Sequence, residues 1–234
     1  MQPIRNHLLA SLLPAALAQL RPRLTWAEPR RREVLCHAGA AIEAAYFPEA
    51  GMISMVTTLD DGTQAEVGVV GREGMFGVAL VAGVETSFTE AVSQIPGPAW
   101  RIPAGALRAE LEGNAPLRVL LLRYNEAVLA QVMQTAACNG RHTLEQRLSR
   151  WLLMCQDRVE ADELPLTQEL LATMLVAQRP SVTVTAGQLQ RAGLIRTGTG
   201  RVFILDRPGL EATACECYAA VRRRFAEVLK TSAS

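Results

Sequence analysis

The residues best suited to chemistry lie between positions 165 and 206. Gln178, Arg179, Ser181, Thr183 and Gln188 fall on or beside one side of a helical pattern that starts near Ser181, with Thr167 upstream and Arg196 and Arg201 downstream. Amides, hydroxyls and guanidinium groups are the donors and acceptors that read base edges in a major groove and hold backbone phosphates. Arg179, at the start of that helix, is suited to pairing bidentately with guanine or to holding a phosphate, and Arg196 and Arg201 to phosphate contact.

Such side chains read DNA only if something presents them. Pro165-Leu-Thr167 precedes an apolar helical pattern over 168–176, for which Thr167 is an N-cap candidate. Ala177-Gln178-Arg179-Pro180 interrupts it, and a second helix follows from Ser181 to about Ala192, with Val182, Ala186 and Leu189 inward and Val184 on another face. Ala172 is small where the two helices would cross. Gly193 ends the second helix, and Leu194-Ile195, a polar tip over 196–201 and Val202-Phe-Ile-Leu205 form a hairpin pattern. Helix, short turn, helix and hairpin is a winged helix-turn-helix.

Other chemistry is poorly supplied. No nucleophile triad, Walker loop or dinucleotide fingerprint is present, and Gly71-Arg-Glu-Gly74 is too short and sits between strands. An enzyme is not expected. The five cysteines, Cys36, Cys138, Cys155, Cys215 and Cys217, are an odd, scattered set that does not form a disulfide framework. Cys155 lies in an apolar run and reads as core, and Cys215-x-Cys217 lacks a partner pair for zinc. His7, His37 and His142 show no helical metal spacing, so no metal site is expected.

The 234 residues suit two small domains. Hydrophobic residues make up 49% and charged residues 20%, which excludes a disordered chain. No run of 18 apolar residues exists, so no membrane-spanning helix is expected. The formal net charge of +1 hides an asymmetry: −3 over 1–113 against +4 over 114–234. A basic second half is compatible with a polyanionic partner. Near the start, Arg5, Leu8-Leu9-Ala-Ser-Leu12-Leu13 and Ala16-Leu-Ala18 loosely mimic a secretory leader. Pro14 breaks the apolar stretch, and the expected location is the cytoplasm.

Residues 6–20 predict two short helices split at Pro14. From Arg21 to Pro103, short apolar runs alternate with turn signals, the pattern of a β-sandwich or barrel. Asp61-Gly62, between Ile53–Leu59 and Thr63–Val70, predicts a hairpin. After a short helix over 104–112, a long helix runs from Pro116 through Ala137. It carries Leu117, Leu120, Leu121, Tyr124, Val128 and Val132 at helical spacing, and Val119, Leu122, Leu129 and Met133 on other faces. A helix apolar most of the way round needs partners on more than one side. One face can meet the β-domain and another a copy of itself. Leu117, Leu121, Tyr124 and Val128 are the residues expected at a dimer contact. Another helix follows over 142–158.

In this order the chain resembles the Crp/Fnr family of bacterial transcription regulators. The resemblance covers nearly the whole chain. It includes Tyr46-Phe-Pro-Glu-Ala-Gly51-Met-Ile-Ser and Gly71-Arg-Glu-Gly74-Met-Phe-Gly77, and is most specific over Leu166–Ile195. It implies an α+β fold: an N-terminal β-roll (a cyclic-nucleotide-binding-like jelly roll) over 1–113, a long dimerisation helix over 114–138 and a C-terminal winged helix-turn-helix domain over 139–234. It also implies a homodimer on a near-palindromic site in double-stranded DNA, an effector-sensing β-roll and RNA polymerase as a partner, with no membrane. Arg179 falls on the family's base-contacting arginine. Pro180 stands where well-known members carry an acidic residue, Val184 where they carry a second reading arginine, and the turn glycine is replaced near Val176.

The ligand cassette departs further. Members that bind cyclic AMP use Gly-Glu for ribose and Arg-Ser for phosphate. The stretch from Gly77 to Phe88 has the glycine, no glutamate directly after it and no arginine. A buried cyclic phosphate without a cation lacks its charge partner. Cyclic AMP is therefore not expected to bind in the usual manner, and Arg72, Gly77, Thr86 and Ser87 are the candidate effector contacts. With a lone Cys36 near the N-terminus, an iron–sulfur cluster is not expected either. A competing function for the same architecture is a sensor module whose helical C-terminal domain binds protein rather than DNA.

Overall fold

A computed structural model describes residues 3–230. The two ends of the spans assigned from sequence, residues 1–2 and 231–234, lie outside it.

Two short helices open the chain, α1 (His7–Ala10) and α2 (Pro14–Leu20). Leu8, Leu9, Leu12 and Ala16 of the leader-like stretch, together with Leu20, are buried in the main core, while Leu13 is exposed. Seven strands follow: β1 (Thr25–Ala27), β2 (Val34–Cys36), β3 (Ala44–Pro48), β4 (Met52–Thr58), β5 (Gln64–Val70), β6 (Glu90–Ile95) and β7 (Ala99–Pro103). They form two antiparallel sheets, ordered β1-β7-β3 and β2-β6-β4-β5. The expected hairpin is β4–β5, with Thr58 opposite Gln64. Gly62 in its tip has φ +81°, a backbone region that only glycine enters at no steric cost. The three-residue β1 carries no alternating pattern and had no sequence signal.

α3 (Ala104–Gly113) leads into α4 (Ala115–Arg141). The Asn114 side chain caps α4, accepting from the Leu117 N–H and donating to the Ala16 carbonyl. The helix runs one turn past the end expected from its apolar pattern, so Cys138 lies on it and His142 is its C-cap residue. α5 (Leu144–Val159) starts at a capping box made by Thr143 and Gln146.

The helix-turn-helix pair is α6 (Gln168–Met174) and α7 (Arg179–Arg191). A three-stranded sheet, β8-β10-β9, forms the wing from β8 (Glu163–Leu164), β9 (Ile195–Gly198) and β10 (Arg201–Ile204). α7 begins two residues before the Ser181 start read from sequence, because Pro180 is accommodated in its first turn, where a missing N–H costs nothing. Beyond the wing lie α8 (Arg207–Thr213) and α9 (Cys217–Lys230). α9 returns along α4, and its Val221, Phe225 and Val228 join the core of the N-terminal sheets. The Tyr124 and Phe225 rings sit 6.0 Å apart, and Arg224 pairs with Glu126.

A second core joins the two halves. Met52, Val56, Val69 and Ile95 of the four-stranded sheet cluster with Leu148, Trp151 and Leu152 of α5 and with the helix-turn-helix interior. Within this contact, Glu66 on β5 is buried and accepts hydrogen bonds from Trp151 Nε1 (2.6 Å) and Ser54 Oγ (2.5 Å).

Leu117, Leu121, Tyr124 and Val128, expected at a dimer contact, are instead buried within the subunit, in the main core. The other side of α4 leaves Val119, Leu122, Leu129 and Met133 exposed. Hydrophobicity alone cannot orient a helix that is apolar all round; the sheets and α9 take the better-packed face.

Candidate nucleic-acid interface

α6 starts at Thr167, whose Oγ1 accepts from the Leu170 N–H. Thr167 thus serves as a helix cap. α6 ends in a turn where Val176 adopts φ +48°. α7 then locks against α6 through Val182, Ala186 and Leu189, all buried. Its opposite side carries Pro180, Ser181, Thr183, Val184, Gln188 and Arg191, all exposed. Val184 stands at the centre of that side with 61% of its surface free.

The sequence-selected side chains divide in two. Gln178, Arg179, Ser181 and Gln188 are exposed, and their side chains form no hydrogen bond or ion pair among the described residues. They are open to an external partner. Thr183 Oγ1 is engaged within the motif, its single proton shared between Gln168 Oε1 (2.6 Å) and the Arg179 carbonyl (3.0 Å). Gln178 is the N-cap residue of α7 and Arg179 its first residue, so a guanidinium and unpaired helix N–H groups share one end of the helix. Both favour an anion there.

In the wing, Arg196 lies over the Phe203 ring at 3.8 Å, and Arg201 pairs with Glu163 at 2.5 Å. Both remain exposed. Exposed pairs of this kind are weak, so Arg201 can exchange Glu163 for a phosphate at little cost. A groove of about 350 Å³ runs between α6 and the wing, lined by Thr167, Gln168, Arg179, Thr197, Gly200 and Arg201. Beside it, Thr63 and Gln64 from the β4–β5 tip line a second groove with Thr173, Val176, Gln178 and Arg179. The β4–β5 hairpin thus reaches the start of α7. No sequence signal marks this contact, which joins residues more than 100 positions apart.

Of the four candidate effector residues, Arg72 stands apart from the other three. Arg72 is buried and turned toward α5, where it pairs with Glu160 at 2.5 Å. There it borders a cleft of about 300 Å³ shared with His7, Arg158, Tyr218 and Phe225. Gly77 lies against Ala45 and Ile42 with φ +92°. Ser87 is buried, with its hydroxyl donating to the Thr89 carbonyl at 2.6 Å, and Thr86 is exposed. Arg72 and Gly77 flank one turn yet face different elements.

The Crp-like helix-turn-helix domain model matches residues 146–213, and the cyclic nucleotide-binding domain model matches residues 28–114. The chain belongs to the Crp/Fnr family. Solved structures of this family share the fold. FixK2 from Bradyrhizobium japonicum superposes with a TM-score of 0.70 at 17% identity, over 82% of this chain and 98% of that one. A Crp/Fnr-family regulator from Eubacterium rectale gives 0.66 at 19%, over 88% and 96%. TTHB099, a Crp-family regulator from Thermus thermophilus, gives 0.65 at 23%, over 80% and 96%. No curated protein matches the chain. The β-roll, long helix and winged helix-turn-helix expected from sequence are the family's architecture, and members of the Crp/Fnr family are DNA-binding transcription regulators. Among the described residues, no helix is long and apolar enough to cross a membrane.

Proposed function

We propose that this Crp/Fnr chain is a cytoplasmic, sequence-specific transcription regulator that binds double-stranded DNA as a homodimer and meets RNA polymerase there. The observation that carries this is the outward side of α7, where Arg179, Ser181 and Gln188 stand exposed and unengaged beside an arginine-bearing wing. α7 enters the major groove, Arg179 and Gln188 read base edges, and Gln178 and Ser181 contact bases or backbone. Val184 lies against a thymine methyl, so the half-site differs from that of members with arginine there. Arg196, Arg201 and the Thr167 end of α6 face phosphates.

The exposed row Val119, Leu122, Leu129 and Met133 supports the dimer, since a second copy of α4 would cover it. Two reading helices then fall about 34 Å apart, one helical turn of DNA.

The sensor does not take cyclic AMP in the family's manner. Arg72 is held by Glu160, and residues 77–88 supply no arginine or lysine. An effector acts by shifting the set of the α4 pair and hence the spacing of the two α7 helices.

Selection of bound duplexes from a random pool, followed by polarisation titration, tests the reading. A near-palindromic site whose affinity falls steeply with salt is expected. Failure to retain any duplex would leave the domain binding protein instead. Calorimetry with cyclic AMP checks the sensor; micromolar binding lost on Ser87→Ala would overturn that part.

A further inference from the structure

The end of α4 and the corner between α8 and α9 meet in a cluster that the regulator reading does not use. Cys138 lies on the last turn of α4, and His142 follows one turn later as its C-cap residue. Cys215 precedes α9, and Cys217 is its first residue. One ligating atom from each of the four lies within 4.8 Å of all the others. Cys138 Sγ and Cys215 Sγ are 3.5 Å apart, as are Cys217 Sγ and His142 Nδ1. A zinc ion bonds sulfur at about 2.3 Å, so a tetrahedral thiolate site has edges of roughly 3.8 Å. The cluster brackets that edge.

Two further features suit a metal. The three cysteines are buried as a separate cluster of their own. The imidazole and one thiol are also oriented from behind. His142 Nε2 faces Glu216 Oε1 at 3.3 Å, which directs Nδ1 toward the sulfurs, and Gln134 Nε2 donates to Cys217 Sγ at 3.0 Å. A carboxylate behind a ligating histidine and an N–H donated to a ligating sulfur are the outer contacts that orient a metal's ligands.

We propose that Cys138, His142, Cys215 and Cys217 form a closed zinc site that pins the start of α9 to the foot of the long helix. Four protein ligands leave no open position, so the site is structural. Three soft thiolates and an imidazole in tetrahedral array select zinc among common divalent ions. Binding sends the thiol protons to solvent and needs no oxidant. Each half, Cys138-x-x-x-His142 and Cys215-x-Cys217, has too few ligands to signal a site in the sequence, where none is expected; only the return of α9 along α4 joins them.

The test is metal analysis of the full chain, purified without a histidine tag under reducing conditions. One zinc per chain is expected. Cys138→Ser and the double change Cys215→Ser with Cys217→Ser should lose it, while Cys36→Ser should keep it. Because these variants can misfold, wild-type protein is also stripped with a chelator and titrated with cobalt. Thiolate-to-cobalt charge-transfer and tetrahedral d–d bands saturating at one equivalent, displaced by zinc with a rise in melting temperature, support the site. Wild-type protein that takes up neither metal, holds iron instead, or keeps zinc in the cysteine variants would overturn it.

Discussion

Val176 sits in the helix-turn-helix turn at φ +48°, a region that costs a β-branched side chain roughly 1–2 kcal/mol. Its side chain is nearly half exposed, so little burial is lost on removing it. Val176→Gly should therefore raise stability by about 1 kcal/mol, seen as a higher urea midpoint with an unchanged slope. Gly74 poses the opposite constraint. A Cβ there would collide with the Tyr124 ring, whose hydroxyl donates to the Met75 carbonyl. Gly74→Ala should destabilise by about 1–3 kcal/mol, since a packed core cannot yield to a methyl group without strain. On the reading helix, Arg179→Ala should weaken binding to the selected duplex by about 1–3 kcal/mol and relax one base position. Arg201→Ala should weaken all sequences alike and lower the salt slope by about one unit. Equal behaviour of the two variants in polarisation titrations would contradict the roles assigned to them.

At the scale of elements, α4 carries two apolar faces with different partners. One is filled by the sensor core and α9; the other holds Val119, Leu122, Leu129 and Met133 exposed. Leu129→Glu with Met133→Glu places charges on the open face alone. Sedimentation should then show monomers that retain the wild-type far-ultraviolet spectrum, with affinity for the full palindrome lost. A dimer that survives both changes would place the contact elsewhere. The period of α4 was legible in the sequence, but the choice between its faces was not, because Leu121 and Leu122 are chemically alike.

For the whole molecule, the contact between sensor sheet and α5 contains a titrating group. Burial pushes the Glu66 carboxyl up from its ordinary 4.5 to about 7, against the opposing pull of its hydrogen bonds to Ser54 and Trp151 and of nearby Arg158. The folded protein then holds a proton that the unfolded chain releases near 4.5. Between these values the folded state binds more protons, so stability falls as pH rises and levels off above about 7. Glu66→Gln can keep both hydrogen bonds without the charge, its amide oxygen accepting from Trp151 and its N–H donating to Ser54. It should add on the order of 3 kcal/mol at pH 8 and little at pH 4.5, flattening the pH profile in thermal melts. A profile unchanged by the substitution would mean that Glu66 does not titrate in this range.

The sequence by itself determined most of the local elements and their order, though not β1, α8 or α9. Thr167, Pro180, Gly193 and the apolar run Val202–Leu205 after its polar tip specify helix, turn, helix and wing through contacts close in the chain. Asp61-Gly62 likewise specifies its hairpin. Tertiary structure alone decided which way surfaces face and what meets across long separations. Examples are the burial of Tyr124 against α9, the turning of Arg72 to Glu160, the reach of Thr63 and Gln64 to Arg179, and the meeting of Cys138 with Cys215. The physical reason is that periodicity records how much of an element is apolar and with what spacing. It carries no information on which distant residue covers each face, and that is settled only when all the faces compete for burial at once.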